Sequence, residues 1–212
     1  MSKKIYLDYQ ATTPVDEKIL KKMLPYFTEN FGNPHSNNHS VGRLANEAVE
    51  EARKNVANLI NAETSEIIFT SGATESNNLA IKSIAKNYFD KNCQIISCKT
   101  EHKCVIESCH ELEKEGFKVI YLNVDEEGLI NLQELEKLLK QEKSLVSIMM
   151  ANNETGVLQD VKKIGELCKK YSSIFHTDVA QSIGTQNIDV IEMNIDALSI
   201  SAHKIYGPKG IG

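Results

Sequence analysis

The chain predicts an α/β fold with a mainly parallel sheet sandwiched by helices, and three observations carry that expectation. Apolar runs of strand length alternate with amphipathic helical segments from Gln94 to Ser201. The runs are apolar throughout rather than alternating, as strands buried on both faces require. Polar residues collect just after them, at the strand ends where open parallel sheets keep their ligands. With 212 residues, 41% hydrophobic and 25% charged, the chain holds enough apolar material for a large core in one domain, or one domain plus part of another.

Composition narrows the function classes. A formal net charge of −5, with acidic and basic residues interspersed, argues against a nucleic-acid footprint or a basic membrane surface. No apolar run approaches the length of a membrane span. The opening Met1-Ser2-Lys3-Lys4 reaches a charge too soon for a secretory h-region. Five cysteines, an odd number scattered through the chain, form no disulfide framework. A reducing, cytoplasmic setting is expected.

Taken in order, residues 5–9 read as a short strand, and Thr13-Pro14 leads into a helix over about 16–29. Residues 30–40, rich in Gly, Asn, Pro and His, are a loop. Ala45, Val49, Ala52, Val56 and Leu59 step by four and three, which predicts an amphipathic helix docked on a core over 40–61. A buried strand over 67–69 then runs through a glycine turn into a helix containing Leu79, Ala80 and Ile84. Further strands are expected at 94–98, 118–122, 145–150, 174–178 and 197–201. Helices are expected at 103–115, at 132–140 with an Asn131/Glu134 capping box, and from the Asp160 cap through Tyr171, whose core face is Ile164, Leu167, Cys168 and Tyr171.

The last twelve residues, 201–212, organise the functional reading. A lysine just past an apolar strand, Lys204, with Ser201 and His203 beside it, suits a desolvated amine able to form a Schiff base. The competing reading is a solvated lysine at a strand end, since strand ends are usually polar. The second informative stretch runs Thr70-Ser71-Gly72-Ala73-Thr74-Glu75-Ser76-Asn77. Free N–H groups and hydroxyls at such a helix start suit a single phosphate, while the plainer alternative is Thr74 acting as a helix cap. The glycine spacing fits neither a P-loop nor a dinucleotide fingerprint. If the sheet is parallel, His102, Asn153, Asp178, Gln181 and Lys204 converge with the Gly72 loop on one rim. Cys93, Cys98, His102, Cys104, Cys109 and His110 crowd together but lack paired ligand spacing, so small buried residues are favoured over a zinc site.

The stretches 6–14, 31–36, 69–78, 100–102, 152–156, 178–182 and 201–212 together resemble the cysteine desulfurases of the IscS/NifS group in the class V aminotransferase family. These are pyridoxal 5′-phosphate enzymes of fold type I. The resemblance covers the whole chain and implies that Lys204 binds the cofactor covalently and later shuttles protons, while Asp178 pairs with the pyridinium nitrogen. It further implies that His102 stacks on the ring, Gln181 hydrogen-bonds the phenolic oxygen, and Ala73, Thr74, Ser201 and His203 hold the phosphate. Asn153 is similar to a residue beside the cofactor and the substrate carboxylate. L-cysteine is the implied substrate, converted to L-alanine, with sulfane sulfur passed to iron-sulfur scaffold or tRNA-thiolation proteins, and the implied assembly is a homodimer or a pairing with a complementary chain.

Ala202 and Gln10 stand where many relatives have Gly and Ser, both small local changes. The larger departure lies at the end. Family members continue past the cofactor lysine into a small domain bearing a nucleophilic loop cysteine. Residues 1–15 are therefore expected to associate with a small domain that is absent, and 16–212 to form an incomplete large cofactor-binding domain. Turnover by these residues alone is not expected. The alternatives are a non-catalytic remnant or dimerisation module, and a selenocysteine lyase or other class V aminotransferase.

Overall fold

The computed structural model describes residues 5–89 and 93–212; the part of the N-terminal reading that falls on residues 1–4 lies outside them. Its centre is a five-stranded sheet of β1 (Gln94–Cys98), β2 (Lys118–Leu122), β3 (Ser144–Ser147), β4 (Ile174–Asp178) and β5 (Ala197–Ser199), in the order β2-β1-β3-β4-β5. Every pairing is parallel. Successive residues serve opposite faces, as the period of a strand demands. Ile95 and Leu145 pack against one set of helices, and Ile96 and Val146 against the other.

The helices are α1 (Glu17–Met23), α2 (Pro25–Thr28), α3 (Ser40–Ile60), α4 (Ala73–Tyr88), α5 (Lys103–Lys114), α6 (Leu132–Leu139) and α7 (Val161–Lys170). Ile81 of α4 with Val105, Cys109 and Leu112 of α5 covers the first face, and Leu135 of α6 with Ile164 and Cys168 of α7 covers the second. Asn131 caps α6 by accepting from the N–H groups of Gln133 and Glu134, and Asp160 caps α7 by accepting from Lys163, satisfying donors that would otherwise lack partners. The sandwiched parallel sheet expected from the alternation is the architecture observed. The chain steps outward from β1 to β2, then returns to place β3 on β1's other side. Such a reversal opens a crevice at the carboxyl ends of the strands.

Several elements differ from expectation. Residues 5–9 form no strand, and Ile5 and Leu7 are 83% and 87% exposed; among the described residues they pair with no strand of the sheet. The helix expected over 16–29 is divided into α1 and α2 at Pro25, which has no N–H to donate to the preceding turn. Residues 67–69 lie outside the sheet. Ile68 is 67% exposed, and among the described residues a single reciprocal backbone pair beside it joins Thr70 to Gly212, too little for a ladder. In α3 the buried side chains are Ala45, Ala57 and Ile60 with Gly42, whereas Leu59 is 57% exposed. Arg53 occupies the inner face instead, bonding the Ile67 carbonyl and lying 5.0 Å from the Phe69 ring centroid. Leu79 of α4 likewise points outward, and the buried stripe runs Asn77, Ile81, Ala85. β3 and β5 stop earlier than the apolar runs, although Ile148 and Met150 still donate to β4 carbonyls.

Inside the sheet, His176 is fully buried between Ser147 Oγ at 2.9 Å and Ser199 Oγ at 3.1 Å. Burial lowers its pKa from 6.5 to about 4, so the neutral ring is the folded form at neutral pH. The unfolded chain binds this proton first, so the contribution is complete above pH 6.5 and is lost as pH falls towards 4. Urea unfolding of the parent is expected to lose about 3 kcal/mol more than a His176→Asn variant between pH 7 and 4; parallel pH profiles would contradict this account of the buried ring.

Candidate functional site

At the carboxyl ends of β1, β3, β4 and β5 lies a cleft of about 590 Å³. Ala73, Thr74, His102, Asn153, Asp178, Gln181, Ser201, His203 and Lys204 all line it. The convergence expected from the parallel topology is therefore present. Ser71, Gly72, Glu75, Cys104, Met149, Lys209 and the N-terminal residues Ala11 and Thr12 line it too.

Lys204 ends a single 3-10 turn, Ala202–Lys204, immediately after β5. The N-terminal segment fastens this turn. Thr13 donates to the His203 carbonyl through its N–H at 3.0 Å and its hydroxyl at 2.9 Å, Tyr206 N–H donates to Thr13 Oγ1 at 2.9 Å, and Asp16 N–H donates to the Tyr206 carbonyl at 2.9 Å. Lys204 Nζ donates to the carbonyls of Gln10 at 2.6 Å and Ala11 at 3.0 Å, and Gln181 Nε2 also reaches Gln10 O at 3.1 Å. Desolvation lowers the Lys204 pKa from its usual value, opposed by the charges of Asp178 and Asp8. The lowered amine is the property expected of Lys204 from its place after an apolar strand.

His203 is half-buried, with Nδ1 3.0 Å from Thr12 Oγ1. Desolvation, then the neighbouring charges of Lys204 and Lys209, lower its pKa. Ser201 is 2% exposed. The start of α4 faces this pair. Its N-cap is Gly72, not Thr74, and no side chain caps the helix; Glu75 instead folds back to accept from Ser71 N–H at 2.7 Å. Gly72 has φ +150°, a conformation that L side chains rarely adopt, so the turn itself favours glycine, while a Cβ there would meet Ser201 Oγ at an ordinary 4.0 Å. The start of α4 thus faces Ser201, His203 and Lys209 across the cleft, and a helix start presents backbone N–H groups that lack intrahelical partners.

Asp178, at the end of β4, is 6% exposed. Its Oδ1 accepts from Ala180 N–H at 2.9 Å and its Oδ2 from Asn77 Nδ2 at 2.7 Å. Asn77 also reaches Cys104 Sγ at 3.2 Å, and Cys104 Sγ lies 3.0 Å from His102 Nδ1. His102 caps α5 by accepting from Cys104 N–H. Asn153 follows an Asn152 turn whose side chain holds Glu154 and Thr155 N–H groups at 2.9 Å. Among the residues to which the sequence assigned no site role are Cys104, Met149 and Lys209, which line the cleft, and Asn77, which lies behind it against Asp178. A polar residue in step with Ile81 and Ala85 on a buried helix stripe was the available signal for Asn77, and a position in the first turn after His102 was the signal for Cys104.

A family model for aminotransferase class-V matches residues 5–212. The chain belongs to that family. A cysteine desulfurase IscS of Rickettsia massiliae (strain Mtu5) is 57% identical over 208 residues, covering 98% of this chain and 51% of the relative. A probable mitochondrial cysteine desulfurase of Dictyostelium discoideum is 55% identical over 98% of this chain and 46% of its own length. The chain thus spans about half the length of the curated relatives it matches. Among solved structures, SspA in complex with cysteine aligns with a TM-score of 0.94 at 43% identity, over 99% of this chain and 60% of that one. A NifS-like protein aligns with a TM-score of 0.94 at 42% identity, over 99% and 58%. The class V resemblance and the expected fold are borne out. Among the described residues no helix is long and apolar enough to cross a membrane.

Glu101, behind the cleft, is 8% exposed; its Oε1 accepts from Met149 N–H while its Oε2 has no hydrogen-bond partner. Desolvation raises its pKa well above 4.5, Met149 opposes the rise, and the charge of Asp178 adds to it. An acid raised in the folded state loses stability as pH climbs above its unfolded value. Glu101→Gln is therefore expected to gain stability relative to the parent as pH rises above the usual carboxylate range in urea titrations, and a constant difference would count against a protonated Glu101.

Proposed function

We propose that the cleft binds pyridoxal 5′-phosphate covalently at Lys204, and that the chain carries the cofactor-binding part of a cysteine desulfurase. The substrate would be L-cysteine, the product L-alanine, and the sulfane sulfur would go to an iron-sulfur scaffold or tRNA-thiolation protein. One observation carries the reading: an amine, a buried carboxylate and a helix-start anion corner surround a single cleft. These groups complement the cofactor's aldehyde, ring nitrogen and phosphate.

When bound, the cofactor supplies an electron sink for negative charge developing at the substrate α-carbon. Asp178 would hold the ring nitrogen protonated; Ala73 and Thr74 at the start of α4, with Ser201 and His203, would hold the phosphate. Gln181 would donate to the phenolic oxygen, His102 would lie against the ring face, and Asn153 would sit beside the substrate carboxylate. Lys204, its pKa already lowered by burial, has more of the unprotonated amine needed to bond the aldehyde carbon, and is placed to move the proton at the substrate α-carbon. The carbonyls of Gln10 and Ala11 orient it.

Desulfuration also needs a reactive thiolate. Burial raises the thiols of Cys98 and Cys104, pushes Cys109 up to about 12, and raises Cys168 further; Cys93 is 6% exposed. This supports assigning the sulfur-accepting role to none of these cysteines. A cytoplasmic or other reducing compartment accords with the free thiols of Cys98, Cys104, Cys109 and Cys168. The exposure of Leu44, Leu59 and Ile68 supports pairing with a second copy or a complementary polypeptide, and a small domain associated with residues 1–15 belongs to the same reading.

Mixing the chain with pyridoxal 5′-phosphate, reducing with borohydride and mapping peptides by mass is expected to place one adduct on Lys204. Lys204→Ala should lose that adduct, and Asp178→Ala should weaken cofactor affinity by about tenfold or more. A folded parent with no adduct at Lys204 would exclude this function.

A further inference from the structure

Asn77 is a fully buried amide on a stripe otherwise made of Ile81 and Ala85. Its carbonyl oxygen, Oδ1, has no hydrogen-bond partner. An unpartnered buried carbonyl is unfavourable, and an apolar side chain would suit the stripe without it. Core packing therefore does not account for asparagine here.

What the residue does is hold Asp178. A carboxylate oxygen accepts and does not donate, so the amide nitrogen must face it, and this fixes the orientation of the amide. Asp178 is then gripped from two separate elements, with Oδ1 bonded at 2.9 Å to Ala180 N–H of the loop after β4 and Oδ2 bonded at 2.7 Å to Asn77 of α4. A lysine or arginine at this position would neutralise the carboxylate. A neutral amide orients it and leaves its charge available to a cationic N–H. Asn77 also lies about one and a half helical turns beyond Gly72, where the anion corner begins, so one rigid helix spaces that corner from the carboxylate.

We propose that Asn77 is a positioning residue that acts through Asp178 to keep the cofactor's ring nitrogen protonated. This rests on the reading of the cleft as a pyridoxal 5′-phosphate site and extends it to a side chain that does not line the cleft. Cys104 and His102 continue the same chain of contacts, from Asn77 Nδ2 to Cys104 Sγ at 3.2 Å and on to His102 Nδ1 at 3.0 Å. The residue holding Asp178 is thereby tied to the one expected against the ring face.

The test uses cofactor labelled with ¹⁵N at the ring nitrogen, loaded into the 212-residue chain and read by NMR, with circular dichroism to confirm folding. The parent should give a shift in the protonated range and Asp178→Asn one in the unprotonated range. Asn77→Leu, which keeps the branched heavy-atom skeleton and removes the donor, should move towards the Asp178→Asn value with about tenfold weaker cofactor binding. Asn77→Ser, which retains a shorter donor, should lie between and serves if the leucine variant does not fold. A parent that forms the Lys204 adduct and holds a protonated ring, with Asn77 variants indistinguishable from it in shift and affinity, overturns the role of Asn77 alone. A folded parent that forms no Lys204 adduct removes the cofactor reading beneath it.

Discussion

Asp178 is a carboxylate placed almost out of solvent at the end of a central strand, and burying such a group costs several kcal/mol unless donors replace the lost water. Much of the architecture around the cleft answers that demand. The loop after β4 turns so that Ala180 N–H reaches one oxygen, and α4 crosses the sheet with Asn77 directed at the other. The second of these ties α4 to the strand end, alongside the packing of Ile81 and Ala85. The helix start at Gly72 is in turn carried against Ser201 and the lysine turn. The anion corner, the carboxylate and the amine are thus parts of one mechanically coupled arrangement.

The second constraint comes from the other end of the chain. Residues 10–16 cross the lysine turn and are bonded to it by backbone and threonine groups, with sequence separations of about 190 residues. Lys204 is held by carbonyls rather than by a carboxylate. Carbonyls orient an amine without adding a full opposite charge, so desolvation remains the larger influence on its pKa. Desolvation acts elsewhere too, raising the thiols of Cys109 and Cys168 in the two cores on either face of the sheet.

Both faces of the sheet carry helices, yet polar residues are admitted to its interior, and some of them bridge neighbouring strands. His176 spans Ser147 and Ser199 across three adjacent strands, and Gln94 reaches Ser144 and the Leu138 carbonyl. These bridges link neighbouring strands behind the rim, so the strand ends bearing Asp178 and Ser201 share a rigid support.

The sequence alone determined the strand and helix alternation, because buried parallel strands and amphipathic helices leave different periodicities. It also determined which polar residues stand at the carboxyl ends of those strands, since Thr100-Glu101-His102, Asn152-Asn153, Asp178 and Lys204 follow the runs directly in the chain. Local preference was less informative where a partner decides the outcome. The apolar residues 5–9 and 67–69 have strand character, yet neither joins the sheet, because strand formation depends on an available edge. The stepping of Leu59 and Val49 suggested one face of α3, and docking selected another with Gly42, Ala57 and Ile60. Only the tertiary structure decided that Asn77 meets Asp178 across a separation of 101 residues and that Gln10 meets Lys204 across 194. Hydrogen bonds of that range leave no periodic mark in the sequence; they arise when packing removes the water that each polar group would otherwise have kept.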